Sequence, residues 1–519
     1  MRDNLCFSLI FRKFAAEMPL IRLDMKSMRG LLSILLLVLL PYVARAQQPL
    51  PAQMPAWMQS PSWEELQEVG LPLVEIVTVD GEEPTCDYIS PPEGISGLTI
   101  DNATKVPGRL RKWLHGEVVY DSGDYEKDVS GMRIKIRGNT SAYEPKKPFK
   151  VKLERKADLL CRDDNDYKDK EWVLMKDDYD FDGDGLLHLM IGLEVGRRCG
   201  MPWEPQAEFV NLMINGDYRG VYMLCESVKR GKTRIDVDAD TGFVIERDPY
   251  WWKEDLYFST YRHQMHYTFK YPESEDVTTE QVDEVRTLMD EVEKTIWYGC
   301  IDTLIDLENT ASWLMAHDIL GTWDAAGSNI FLYKYDDSPE SKLQMGPLWD
   351  FGSIMRMEGE WSNVHIGETF YFHYLLDMAA WENRPFIEAY QESWEKRGCF
   401  VLDEMVSFIT LFLASDEAEA LQTCNVWDMA RWEHLKPSVE EVGQKAITWF
   451  RKRKEWLSEK VVPMGIGEVR QDQWTDNDGC YVRYYNLDGI PTAGTSKGFH
   501  IKVGRQSGRQ KAVKMFNIR

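Results

Sequence analysis

Close-set cysteines are missing from this chain. Nine cysteines are spread over 519 residues and no two stand as Cys-x-x-Cys, which excludes a zinc centre of ordinary ligand spacing. The first half holds no Gly-x-Gly-x-x-Gly, so the usual glycine-rich loop over a nucleotide is excluded. Beyond the first fifty residues no apolar run approaches the ~20 residues that a membrane-crossing helix needs. Basic side chains are also short: 61 Lys and Arg face 85 Asp and Glu, a net charge of −24. A surface this acidic repels phosphate backbones and argues for no nucleic acid partner. There is no solenoid repeat and no long low-complexity segment.

What is present fits a large exported globular protein. The chain is 44% hydrophobic and 12% aromatic, enough for one main core with additions. Lys26 and Arg29, the apolar LLSILLLVLLPYV and then Ala44-Arg45-Ala46 before Gln47 follow the order of a secretory signal. Residues 1–46 are therefore expected to be a signal peptide region, with Met25 or Met28 as alternative starts and an uncleaved anchor as the alternative reading. They hold seven Lys and Arg against three Asp and Glu, so a chain beginning at Gln47 would carry −28 and no transmembrane domain. Eight cysteines remain in that mature part. Their even number permits disulfides, and several are expected to be small core residues.

Periodicity changes along the chain. Residues 47–70, rich in Pro, Gln and Met, read as a linker, and LPLVEIVTVDG (71–81) alternates as a strand. MRIKIRG (132–138) and FKVKL (149–153) alternate too, with apolar residues on one face and basic ones on the other. Such a basic strand-turn-strand inside an acidic protein is an anion-site candidate or a solvated face. EWVLMK is a further strand, and LLHLMIGLEVGRRC a helix stopped by Gly200. Asn215-Gly216 between EFVNLMI and RGVYMLCESV marks a hairpin. From Asp276 the period becomes helical, with Thr278 or Thr279 as N-cap and a second helix over IDLENTASWLMAHDILGTW. NIFLYKY and KLQMGPLWDF form two short strands, and residues 369–461 read as helical. The order is sheet first and helices afterwards, an α+β chain with a two-lobe plan. The Gly- and Lys-rich end, 466–519, is expected to be a small C-terminal β-appendage.

Three constellations bear on chemistry. Asp178, Asp180, Asp182, Gly183 and Asp184 fit an EF-hand loop, but the position of its bidentate Glu is Leu189, so an Asp-rich turn before a helix is the simpler reading. Nineteen tryptophans in an exported chain raise a glycosidase, yet 85 acidic residues make carboxylate pairs uninformative and most Trp recur at core-like helical positions. The third is stronger: Asp324, Asn329 five residues on, then Asp350-Phe351-Gly352, the order that kinases use for catalytic Asp, metal-binding Asn and metal-binding Asp. Thr322-Trp323 replaces the kinase His-Arg, so an ordinary protein kinase is excluded and an atypical one is not.

The blocks IRGNTSAYEPKKPFKVKL, EWVLMKDDYD, EFVNLMINGDYRGVYMLCESV, GFVIERD, DAAGSNIFLYK and GPLWDFG, in this order, resemble the spore coat protein H (CotH) kinase family. The resemblance implies a CotH-like kinase domain over 71–465 with an atypical protein-kinase-like two-lobe fold, ATP with Mg²⁺ or Mn²⁺, and phosphorylation of a protein Ser or Thr. It implies Asp324 as catalytic residue, Asn329 and Asp350 as metal ligands, and Trp349 beside the nucleotide. Arg137, Lys147 and Lys150 fall in the family's basic strand-loop-strand, and Glu226 is expected to pair with one of those lysines. The family has a second Asp where this chain has Gly352. The terminal segment resembles small β-modules of exported bacterial proteins, which implies the periplasm, the outer-membrane surface or secretion. The expectation is thus an exported atypical kinase acting on a protein substrate, and the alternative a kinase-derived surface or binding protein that transfers no phosphate.

Overall fold

The structure is a computed structural model that describes residues 60–95, 97–124, 131–162, 164–177, 185–273, 275–295, 301–322, 329–356 and 384–461, with strands between 482 and 517. The EF-hand-like residues 178–184, the signal region, most of the linker and Asp324 lie outside the described residues. The segment read as a linker contains a helix, α1 (Trp63–Glu68), closed by a reciprocal Ser62–Glu65 capping box. Its Leu66 is buried against Leu73 and Tyr218, a contact that composition does not announce.

The first half closes on itself. Its strands are β1 (Leu73–Thr78), β2 (Asp87–Ile89), β3 (Thr99–Asp101), β4 (Val106–Leu114), β5 (Glu117–Asp121), β6 (Met132–Ile136), β7 (Phe149–Ala157), β8 (Asp169–Met175), β9 (Ala207–Ile214) and β10 (Asp217–Glu226). Seven pair in the order β1-β9-β10-β8-β7-β6-β4, and β4 pairs with β1 to complete a barrel. Only β1 and β9 run parallel in this ring. Alternation decides the faces: Met132, Ile134, Ile136, Phe149, Val151 and Leu153 fill the interior with Trp172, Leu212 and Tyr222. The basic partners of that alternation therefore point outward. Asn215 and Gly216, at φ 52° and 77°, supply the positive φ that a two-residue hairpin turn demands.

The outer face of β8–β10 packs on the second half through Val173, Phe209, Val221, Met223 and Cys225. Helix α2 (His188–Cys199) lies there, ended by Gly200 in the left-handed region. A second sheet contains β11 (Phe243–Arg247), β12 (Tyr257–Ser259), β13 (His266–Tyr271), β14 (Ile330–Lys334) and β15 (Gln344–Met345), ordered β12-β13-β11-β14-β15. Between β13 and β14 come α3 (Thr279–Thr295), capped by reciprocal Thr278–Gln281 bonds, and α4 (Leu307–Leu320). Helix α4 is buried on every side from Asn309 to Leu320, so it is a core helix and not an amphipathic surface one. Helices α5 (Arg384–Ser393), α6 (Cys399–Leu413), α7 (Asp416–Trp432) and α8 (Val439–Val461) complete this half. Strands β16 (Val482–Tyr485), β17 (Pro491–Thr492), β18 (Gly498–Gln506) and β19 (Arg509–Asn517) form a separate antiparallel sheet at the C-terminal end of the chain.

The protein is thus α+β, sheet-rich first and helical later. Among the described residues no single helix is long and apolar enough to cross a membrane. Cys199, Cys225 and Cys424 are buried free thiols, as small apolar core residues should be.

Candidate active site

Several segments meet around Arg137. Arg137, just past β6, continues the outward face of the barrel, and its N–H bonds Pro148 O at 3.1 Å. Its guanidinium lies 5.7 Å from the ring centroid of Trp349 and donates to Met175 Sδ at 2.8 Å. Burial pulls the guanidinium pKa down, and the fields of Cys225, Asp350 and Glu246 oppose that. Arginine stays ionised through such a shift.

Asn329 and Asp350 enter from the flanks of β14 and β15. Asn329 Nδ2 donates to Asp350 Oδ2 at 3.0 Å, and Gly352 N points to Asp350 Oδ1 at 3.4 Å. Both residues have left-handed backbones, φ 60° and 67°. Asn and Asp tolerate that region better than other side chains, and non-glycine residues held there concentrate at functional sites. Trp349 and Phe351 on either side are buried while Asp350 is exposed. The backbone is anchored and the carboxylate is presented.

Lys150 and Lys135 are direct cross-strand neighbours on the outer barrel face, and Lys135 stands two residues before Arg137. Lys150 pairs with Glu171 at 2.9 Å. Burial, then repulsion from Lys150 and Lys105, lowers the Lys135 pKa. In the second sheet Lys270 pairs with Glu246 at 2.8 Å, and Glu246 acts on Arg137. Burial pushes the Glu246 carboxyl up, and Glu246 with Asp248 holds Lys270 above its ordinary value despite burial.

Two sequence expectations place elsewhere. Lys147 turns to Tyr88 Oη and Ala142 O, both at 2.7 Å, on the β2–β3 side. Its neighbour Lys146 is fully buried and pairs with Asp177 (2.8 Å) and Asp428 (2.6 Å), beside Lys436. Among the described residues Glu226 pairs with no lysine. It is an inward residue at the end of β10, bonded to Arg162 at 2.9 Å and to Gln206 N at 3.0 Å. The strand alternation that puts Lys150 outside puts Glu226 inside, so the two cannot meet across the barrel wall.

Sequence reasoning missed Lys135, the Glu246–Lys270 pair and Glu204. Lys135 and Glu246 carried a signal, since each is a charged residue in an otherwise well-ordered strand. Glu204, 3% exposed, accepts Leu348 N through both oxygens at 3.0 and 3.2 Å, and nothing local marks it.

The donor set suits a hard cation. A carboxylate and an amide oxygen, without thiolate or imidazole, match the oxygen preference of Mg²⁺ or Mn²⁺. No group of three or more His, Cys, Asp or Glu among the described residues could hold a metal. An ion at Asn329 and Asp350 would therefore rely on substrate phosphates and water for its remaining ligands, as Mg²⁺ commonly does.

A family model described as CotH kinase protein matches residues 134–457, from inside β6 into α8. The chain belongs to the CotH kinase family. Arg137, Asp324, Asn329 and Asp350 all fall within the CotH match. A search of curated proteins returns no match.

Proposed function

We propose that this CotH-family protein is an exported atypical kinase of two-lobe, kinase-like architecture that moves the γ-phosphoryl group of ATP to a Ser or Thr hydroxyl of a protein. The observation that carries the reading is the Asn329–Asp350 side-chain pair at 3.0 Å, presented beside Arg137. In this reading the acceptor hydroxyl oxygen bonds to the γ-phosphorus, the bond from that phosphorus to the β–γ bridging oxygen breaks, and ADP leaves. The hydroxyl proton passes to the Asp324 carboxylate. Asn329 and Asp350 would hold a divalent ion, which would supply charge neutralisation for the phosphates. Arg137 fixes phosphate oxygens and cannot lose its own proton, and Lys150 with Lys135 extends the cationic track along the barrel.

One observation favours a second reading, a kinase-derived protein that binds and does not transfer. Position 352 is Gly, so the segment supplies a single carboxylate, that of Asp350. Incubating the protein from Gln47 onward with γ-labelled ATP, Mg²⁺ or Mn²⁺ and a generic protein acceptor separates the readings. Label on Ser or Thr supports transfer. Tight metal-dependent ATP binding without any labelled product supports the second reading.

A further inference from the structure

Asp350 is exposed, yet its backbone is left-handed, so something nearby must hold it in place. Two contacts bracket it. Two residues earlier, Leu348 N is shared by both oxygens of the buried Glu204 carboxyl group. One residue later, the Phe351 ring lies on Gly192, where a Cβ would stand 2.1 Å from the ring. Gly196, one turn along α2, gives Glu204 the same clearance: a Cβ there would stand 2.4 Å from Glu204 Oε1. Gly192 and Gly196 occupy one face of the helix. The flat glycine face therefore receives both anchors of the Leu348–Phe351 segment.

We infer that Glu204 is the positioning residue for Asp350, fixing Leu348 against the glycine face of α2 so that the carboxylate two residues on is presented to Asn329. Glu204 lies outside the phosphotransfer chemistry and acts through Leu348 alone. Burial raises its carboxyl well above the ordinary range, and a glutamine in its place would keep one carbonyl oxygen to accept Leu348 N. The consequence for nucleotide binding rests on the phosphotransfer reading, while the clamp itself does not.

The test uses the full chain with Glu204→Ala and Glu204→Gln, read by peptide-level amide exchange across 347–352 and by calorimetry with Mg²⁺ and ATP. Leaving a buried N–H without its acceptor should speed exchange in Glu204→Ala by about tenfold or more, with barrel peptides unchanged. Mg²⁺-dependent ATP affinity should fall by a similar factor, and Glu204→Gln should keep both near wild type. Should Glu204→Ala not fold, Gly196→Ala presses a methyl onto the same carboxyl and should show the same two losses. Unchanged exchange at 347–352 in the alanine variants overturns the inference, as does damage from Glu204→Gln equal to that from alanine. A wild type that binds no nucleotide sinks the phosphotransfer reading instead, and the exchange comparison still decides for or against Glu204.

Discussion

Asn329 and Asp350, 21 residues apart, meet at 3.0 Å from Nδ2 to Oδ2, each on a left-handed backbone. One precedes β14 and the other follows β15, so the antiparallel pairing of those strands brings both to the same end of the ribbon. The amide donates its N–H to Oδ2 of the carboxylate, and Gly352 N points to Oδ1. The ribbon brings an amide and a carboxylate side chain together from two distant stretches of the chain.

The two lysines of Lys146-Lys147 and the strand lysine Lys150 should respond differently to alanine. Lys147→Ala is expected to leave Mg²⁺-dependent ATP affinity unchanged, because its ammonium turns to Tyr88 of β2 and Ala142, whereas Lys150 stands on the same outer barrel face as Lys135 and Arg137. Lys150→Ala should weaken binding roughly tenfold, the scale of one charge-assisted phosphate contact. Calorimetry on both variants decides it, and equal losses would return Lys147 to the site.

The buried four-charge cluster joins the barrel to the helical half. Against the cost of burial, Lys146 and Lys436 hold Asp177 far below the ordinary carboxylate range. Asp428 in α7 also accepts Val221 N at 2.8 Å. Lys146→Met removes one partner and leaves buried carboxylates undercompensated, a change that costs on the order of 3–5 kcal/mol. Denaturant unfolding should show that loss. A stability within 1 kcal/mol of wild type, below about a third of that estimate, would mean the cluster is well solvated.

Acid should act on α4 through His317. Burial, only partly opposed by Asp318, lowers its pKa from 6.5 to about 3. A depressed folded pKa contributes stability above the unfolded value, near 6.5, and that stability is lost as pH falls toward 3. Comparing wild type with His317→Gln isolates the group. Between pH 7 and pH 5 the stability difference should move about 2 kcal/mol in favour of the variant, from roughly 1.4 kcal/mol per unit below 6.5. A pH-independent difference would place His317 in contact with water.

Gly192→Ala should disturb the Asp350 segment from behind, because the new methyl would stand 2.1 Å from the Phe351 ring. Overpacking of this kind typically costs about 1–3 kcal/mol. Thermal melting and ATP binding should fall together, whereas unchanged values for both would show that Phe351 has room to move.

Local signals in the sequence were enough for much of this. Asn215-Gly216 specifies its hairpin, Gly200 stops α2, and the 2-residue period of β6 and β7 assigns inner and outer faces. Asn329 and Asp350 are marked by the kinase-like order of Asp324, an Asn five residues on and then Asp350-Phe351-Gly352. Barrel closure was not legible, since β1 pairs with β4 and β9 through registers that no single segment encodes. In Lys146-Lys147, which lie in a turn, alternation gives no rule for which side chain goes inside. Glu204 meets Leu348 and Glu226 meets Arg162 only after tertiary folding, 144 and 64 residues away.

The most direct measurement is calorimetric titration of ATP into wild type and Asp350→Asn, each with and without Mg²⁺. The substitution keeps size and removes the charge that would hold the ion. Wild type should bind ATP far more tightly with Mg²⁺ than without. Asp350→Asn should lose most of that metal-dependent gain while melting like wild type. Asp324→Asn, run alongside, should keep the gain and lose only transfer, since a carboxylate that takes the hydroxyl proton acts in the transition state. Equal Mg²⁺-dependent affinity in wild type and Asp350→Asn would contradict the account, because the Asn329–Asp350 pair would then not be where the metal is held.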